Sequence, residues 1–103
     1  MTQPRSPRRY VLDGDAFADL GGFFAEVSRV MVPGRAWGRN LDAFNDLLRG
    51  GFGTPEGGFV VVWTHAARSK ARLGDVFDTL VEILRTHGPG GPEAEDGVEL
   101  VLA

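Results

Sequence analysis

Phe59-Val60-Val61-Val62-Trp63 is an unbroken apolar run with three β-branched residues at its centre. A strand with one wet face alternates apolar and polar residues, and this run does not. It reads as a strand buried on both faces, the pattern of a parallel sheet. Parallel neighbours cannot be joined by a hairpin. They need crossover segments, usually helices. The run therefore restricts the chain to folds in which strands and helices alternate.

The flanking sequence supplies those elements. Tyr10-Val11-Leu12 reads as a short strand closed by the turn residues Asp13-Gly14-Asp15. Phe17, Leu20, Phe24 and Val27 recur at helical spacing, which predicts a first long helix over 17–30, weakened by Gly21-Gly22 in its middle. Pro33-Gly34 ends it. Ala66 to Leu73 reads as a short helix. Gly74 or Asp75 then caps another, with Val76, Leu80, Ile83 and Leu84 as its apolar stripe. Gly88-Pro89-Gly90-Gly91-Pro92 breaks that helix, and Glu93, Glu95 and Asp96 make the following loop acidic and, by expectation, mobile. Val98 to Leu102 is the last strand. Three strands alternating with helices predict an α/β fold, a small three-stranded parallel sheet with right-handed crossovers.

At 103 residues the chain suits one domain with a modest core. There is no cysteine, so no disulfide framework and no thiol chemistry. No run of apolar residues is long enough to span a membrane. MTQPRSPRRY carries charge with no apolar run behind it, unlike a secretory signal, so the expected compartment is the cytoplasm. The net charge of −3 is uneven. With Arg5, Arg8 and Arg9 set aside, eight basic residues face 14 acidic ones from Tyr10 onward. Residues 1–9 are expected to be a disordered basic leader and 10–103 the folded domain. An acidic domain suits a basic protein partner better than nucleic acid.

Residues 37–48 carry the most functional information. Asn40 is a good N-cap, and Leu41, Phe44 and Leu48 recur at i, i+3 and i+7 with Leu47 beside them, an apolar stripe on a short helix. Asp42 and Asp46 point the other way, one turn apart. Like charges at that spacing cost an isolated helix roughly 0.2–0.5 kcal/mol. The helix dipole offsets some of this for Asp42 and little for Asp46. A solvated acidic face is the bland explanation of such a pair. The residues around it point elsewhere.

Trp37, Gly38, Asn40, Leu41, Asp42, Ala43, Phe44, Asp46 and Leu48 together resemble the signature of the barstar family, small intracellular inhibitors of secreted microbial ribonucleases. The order of elements from Tyr10 to Leu102 fits the same family. The resemblance implies a monomeric protein inhibitor, not an enzyme, with no cofactor or metal and a 1:1 complex with a small basic, guanyl-preferring, barnase-like ribonuclease. In that family the helix corresponding to Asn40–Leu48, with the loop before it, plugs the ribonuclease active site. The enzyme holds RNA phosphate with cationic side chains, and a carboxylate offers an arginine two acceptor oxygens in the same way. By this resemblance Asp46 is the central phosphate mimic and Asp42 its second acidic contact. Leu41, Phe44 and Leu48 would hold the helix against the sheet.

Three positions depart from the family's best-known member, which has an aromatic pair before the motif glycine, an aromatic beside the central aspartate and a glutamate contact in the last long helix. Here Ala36 precedes Trp37, Asn45 precedes Asp46, and the glutamate position falls near Thr86, with Glu82 one turn earlier. These changes point to a different partner enzyme or affinity. The expected partner-binding set is Asp46, Asp42, Trp37, Gly38, Asn45, Arg39 and Ala36. Arg35, Arg39 and Arg49 flank the acids, either to meet acids on the partner or to lower local charge density. Trp37 reads equally as interface anchor and as buried wedge, and Phe52 as a partner contact or a cover for the core. An enzyme finds little support. His65 and His87 lack metal-ligand spacing, and the glycine-rich segment 50–54 lacks the lysine of a phosphate loop. The competing reading is an acidic interaction module of the same fold that regulates another basic protein.

Overall fold

The apolar run is the middle strand of the sheet. A computed structural model describes residues 8–50, 52–55 and 57–103. Among the described residues, strands β1 (Arg9–Asp13), β2 (Phe59–Thr64) and β3 (Val98–Leu102) form one sheet in the order β1-β2-β3. Both pairings are parallel, with Tyr10 opposite Val61 and Val61 opposite Leu100. Four α-helices connect them: α1 (Leu20–Val30), α2 (Leu41–Leu48), α3 (Ala66–Leu73) and α4 (Asp75–Thr86). This is the expected α/β architecture. Residues 1–7, most of the segment read as a leader, lie outside the described residues, and Arg9 opens β1.

The helices share one core. Phe23, Phe24 and Val27 of α1, Phe44, Leu47 and Leu48 of α2, and Phe77, Leu80 and Leu84 of α4 cluster with Phe59, Val61 and Trp63 of β2. Side chains alternate along a strand, so Val60 and Val62 point to the other side of the sheet. They too are buried, but outside that cluster. Val60 is flanked in register by Arg9 and Glu99, and Val62 by Val11 and Val101. The continuous apolar run thus reflects its central place between two strands as much as helix packing.

Two helix readings are corrected. α1 starts at Leu20, not Phe17, because the Asp19 side chain caps it by accepting from Gly22 N at 2.7 Å. Phe17 lies before the helix with its ring against Phe23, and a Cβ on Gly22 would come within 2.7 Å of the Phe17 Cβ. Gly21-Gly22 therefore sit in the first turn, where Gly22 lets Phe17 fold back. In α4 the core side chains are Phe77, Leu80 and Leu84, while Val76 is exposed. Gly74 joins α3 to α4 at φ +59°, a backbone state glycine adopts without strain.

Gly14 closes the far end of the sheet. Its amide donates to Thr64 O, and its carbonyl accepts from Ser69 Oγ, which itself accepts from Trp63 Nε1. A Cβ there would fall 2.2 Å from Thr64 O. No helix among the described residues is long and apolar enough to cross a membrane.

Candidate partner-binding site

The loop before α2 is anchored by Trp37. Its ring is 9% exposed, stands edge-on to Phe24, and donates Nε1–H to Ser28 Oγ at 2.6 Å. Gly38 then passes over the first turn of α2. A Cβ on it would lie 3.0 Å from both the Ala43 Cβ and the Asn40 Nδ2, so close approach favours glycine here. The sharp turn falls instead on Arg39, whose φ of 49° lies in the left-handed region. Such strain in a non-glycine residue persists only where the surrounding structure enforces it. Arg35, Ala36 and Arg39 are exposed.

Asn40 caps α2 as expected. Its Oδ1 accepts from Ala43 N at 2.8 Å, and its Nδ2 donates to Gly38 O. Asn40→Ala is expected to cost about 1 kcal/mol of stability, whereas Asn40→Asp keeps the cap. Urea denaturation of the two variants checks this.

The apolar face of α2 is formed by Ala43, Phe44, Leu47 and Leu48. Leu41 does not belong to it. It is 36% exposed and lines a shallow groove with Leu20, Phe24, Arg39 and Asp42. The i, i+3, i+7 stripe was out of phase: the buried face is centred between Phe44 and Leu47, and Leu41 sits at its outer edge. Thr54 Oγ1 donates to Leu47 O at 2.7 Å and satisfies one carbonyl of the last turn.

The opposite face presents Asp42 and Asp46, both exposed, with Asp46 at 59%. One Asp46 oxygen accepts a long bond from Arg49 Nη1 at 3.3 Å. Arg49 is chiefly engaged with Glu93, to which it donates from Nε at 3.0 Å and from Nη2 at 3.1 Å. The Glu93 carboxylate, and Asp46 and Asp96 to a lesser degree, hold the Arg49 guanidinium above its ordinary pKa.

Asn45 turns inward, half-buried, with Oδ1 within hydrogen-bond distance of His87 Nε2. The other imidazole nitrogen lies 2.7 Å from Asp96 Oδ2, and His87 is fully buried. Segment 88–97, expected to be mobile, is instead tied down. Glu93 N donates to Thr86 O, Val98 N to His87 O, and Ala94–Asp96 forms a 3₁₀ turn. Sequence reasoning missed this network because its members are far apart in the chain: 42 residues separate Asn45 from His87, and 44 separate Arg49 from Glu93. His87, Glu93 and Asp96 place ligand atoms within 4.8 Å of one another. His87 bonds Asp96 and Glu93 grips Arg49, so the hydrogen bonds already close the cluster.

Outside α2, Phe52 is 37% exposed in the following loop at φ 58°. Glu82 and Thr86 share one side of α4, bordering a groove under Pro89 and Pro92. His65 is exposed at the end of β2.

A helix held by its apolar face, with two carboxylates on the other, can offer oxygens to a cationic surface. A search against curated proteins gave no match. Residues 8–101, nearly the whole chain, match the family described as Barstar (barnase inhibitor), and the chain belongs to that family.

Proposed function

We propose that the protein inhibits a secreted, guanyl-preferring ribonuclease by seating α2 in the enzyme's active site. The observation that carries this reading is the split character of α2. Phe44, Leu47 and Leu48 are buried, while Asp42 and Asp46 face solvent one turn apart. Asp46 stands in for an RNA phosphate and accepts hydrogen bonds from the cations that normally hold it. Asp42 engages a second part of the same cationic site. The carboxylates are placed before the partner arrives, so little ordering cost is subtracted from affinity. Trp37 and Gly38 fix the approach of the loop, and Ala36 and Arg39 border the contact. Asn45 supports the helix from behind. The complex is 1:1, the free protein is a monomer, and its compartment is the cytoplasm. Membership in a family of barnase inhibitors supports this reading, as does the acidic balance of the chain.

The test is a titration of the protein into such a ribonuclease while RNA cleavage is followed. Activity should fall linearly to zero at one equivalent. No inhibition across several ribonucleases of this class would instead favour the acidic module that regulates another basic protein. Association should also slow steeply as salt rises from 10 to 500 mM, because opposite net charges steer the encounter and ions screen it. A salt-independent association rate in stopped-flow measurements would contradict an electrostatic partner.

A further inference from the structure

We propose that Glu93 is a positioning residue for this interface: it draws Arg49 away from Asp46 and so keeps the Asp46 carboxylate available. The inference rests on the inhibitor reading above. Arg49 lies three residues after Asp46, on the same side of α2, and is the nearest cation to it among the ion pairs of the described residues. Left alone, it would fold onto Asp46 with both nitrogens and neutralise it, and a partner's arginine would have to displace it. The geometry shows the opposite division. Glu93 takes two nitrogens of Arg49 at 3.0 and 3.1 Å, a bidentate grip, while Asp46 keeps one bond at 3.3 Å. Bidentate charge-assisted pairs are the stronger kind.

Glu93 can do this because it is fixed relative to α2. Its amide is bonded to Thr86 O at the end of α4. Three residues on, Asp96 holds the buried His87, whose other nitrogen meets Asn45 on α2 itself. The helix and the 93–96 turn are thus joined by two struts, Asn45–His87–Asp96 and Arg49–Glu93. Arg49 becomes part of the scaffold, and the Asp46–Arg49–Glu93 group retains one net negative charge.

The test compares wild type, Glu93→Gln, Arg49→Ala and the double variant for association with the same ribonuclease at low salt. Exposed ion pairs have modest strength, so Glu93→Gln should slow association and weaken binding about two- to fivefold. Arg49→Ala should bind at least as fast as wild type, and Glu93→Gln should add almost nothing in its background. Loss of a general acidic charge would instead slow both backgrounds equally, and that additivity would overturn the proposal. A crystal structure of Glu93→Gln alone gives a readout independent of any partner. It should show Arg49 bidentate on Asp46, and Arg49 left away from Asp46 would also overturn the proposal. If wild type inhibits no ribonuclease but the Glu93→Gln structure shows that rearrangement, the inhibitor reading fails while Glu93's control of Arg49 stands.

Discussion

Asp46→Ala is expected to weaken ribonuclease binding severely, by about 3–5 kcal/mol as for other buried ion pairs that lose one partner, mostly through faster dissociation. In the proposed complex Asp46 is desolvated against cationic groups. Removing it leaves those groups buried and unpaired, which costs more than the lost attraction alone. The same substitution should scarcely affect the free protein. Asp46 is exposed and its side-chain bond to Arg49 is long, so the stability change should stay within about 0.5 kcal/mol. Surface plasmon resonance and urea denaturation of one variant therefore give opposite answers, strong for binding and near zero for stability. Equal binding by Asp46→Ala and wild type would remove Asp46 from the interface.

Phe44→Ala should reverse that pattern. Phe44 is fully buried and stands edge-on to Phe23, with ring centroids 5.3 Å apart. It joins α2 to α1 and to the core that includes Trp63. Truncating a buried phenylalanine typically costs about 3–5 kcal/mol, a transfer term plus the cavity left behind. Domains of this size have about 5–15 kcal/mol to lose, so the variant should be close to unfolding. Denaturation midpoints check the prediction. A loss below about 1 kcal/mol would mean that α2 is not held through this ring. Where the variant still folds, inhibition should weaken, because the carboxylates would no longer be held still.

What was legible in the sequence follows from the range over which each signal acts. The β2 run, the α3 boundaries at Ala66 and Leu73, the Asn40 cap and the last strand all rest on local pattern, and all stand in the structure. The start of α1 was missed because Phe17 is apolar at a helical spacing yet reaches the core from the preceding loop, while Asp19 sets the cap. Phase was the weak point in α2 and α4. α2 has eight residues, little more than two turns, and a stripe drawn through Leu41, Phe44 and Leu48 with Leu47 beside them differs from the true face by the exchange of Leu41 for Ala43. In α4, Val76 and Phe77 are adjacent and both apolar, and Phe77 is the one that faces the core. The order of segment 88–97 was not readable at all. Its glycines and prolines signal a loop, and they carry no trace of Arg49, which grips Glu93, or of Asn45, which meets the neighbouring His87.

Competition with a small nucleotide tests the central claim most directly. The apparent affinity of the protein for the ribonuclease would be measured at rising concentrations of guanosine 3′-monophosphate, which occupies the enzyme's phosphate site. If α2 places Asp46 in that site, affinity should fall in direct proportion to nucleotide occupancy and recover when the nucleotide is removed. Unchanged affinity with the nucleotide bound would mean that the protein binds elsewhere on the enzyme and that its acidic face does not replace phosphate.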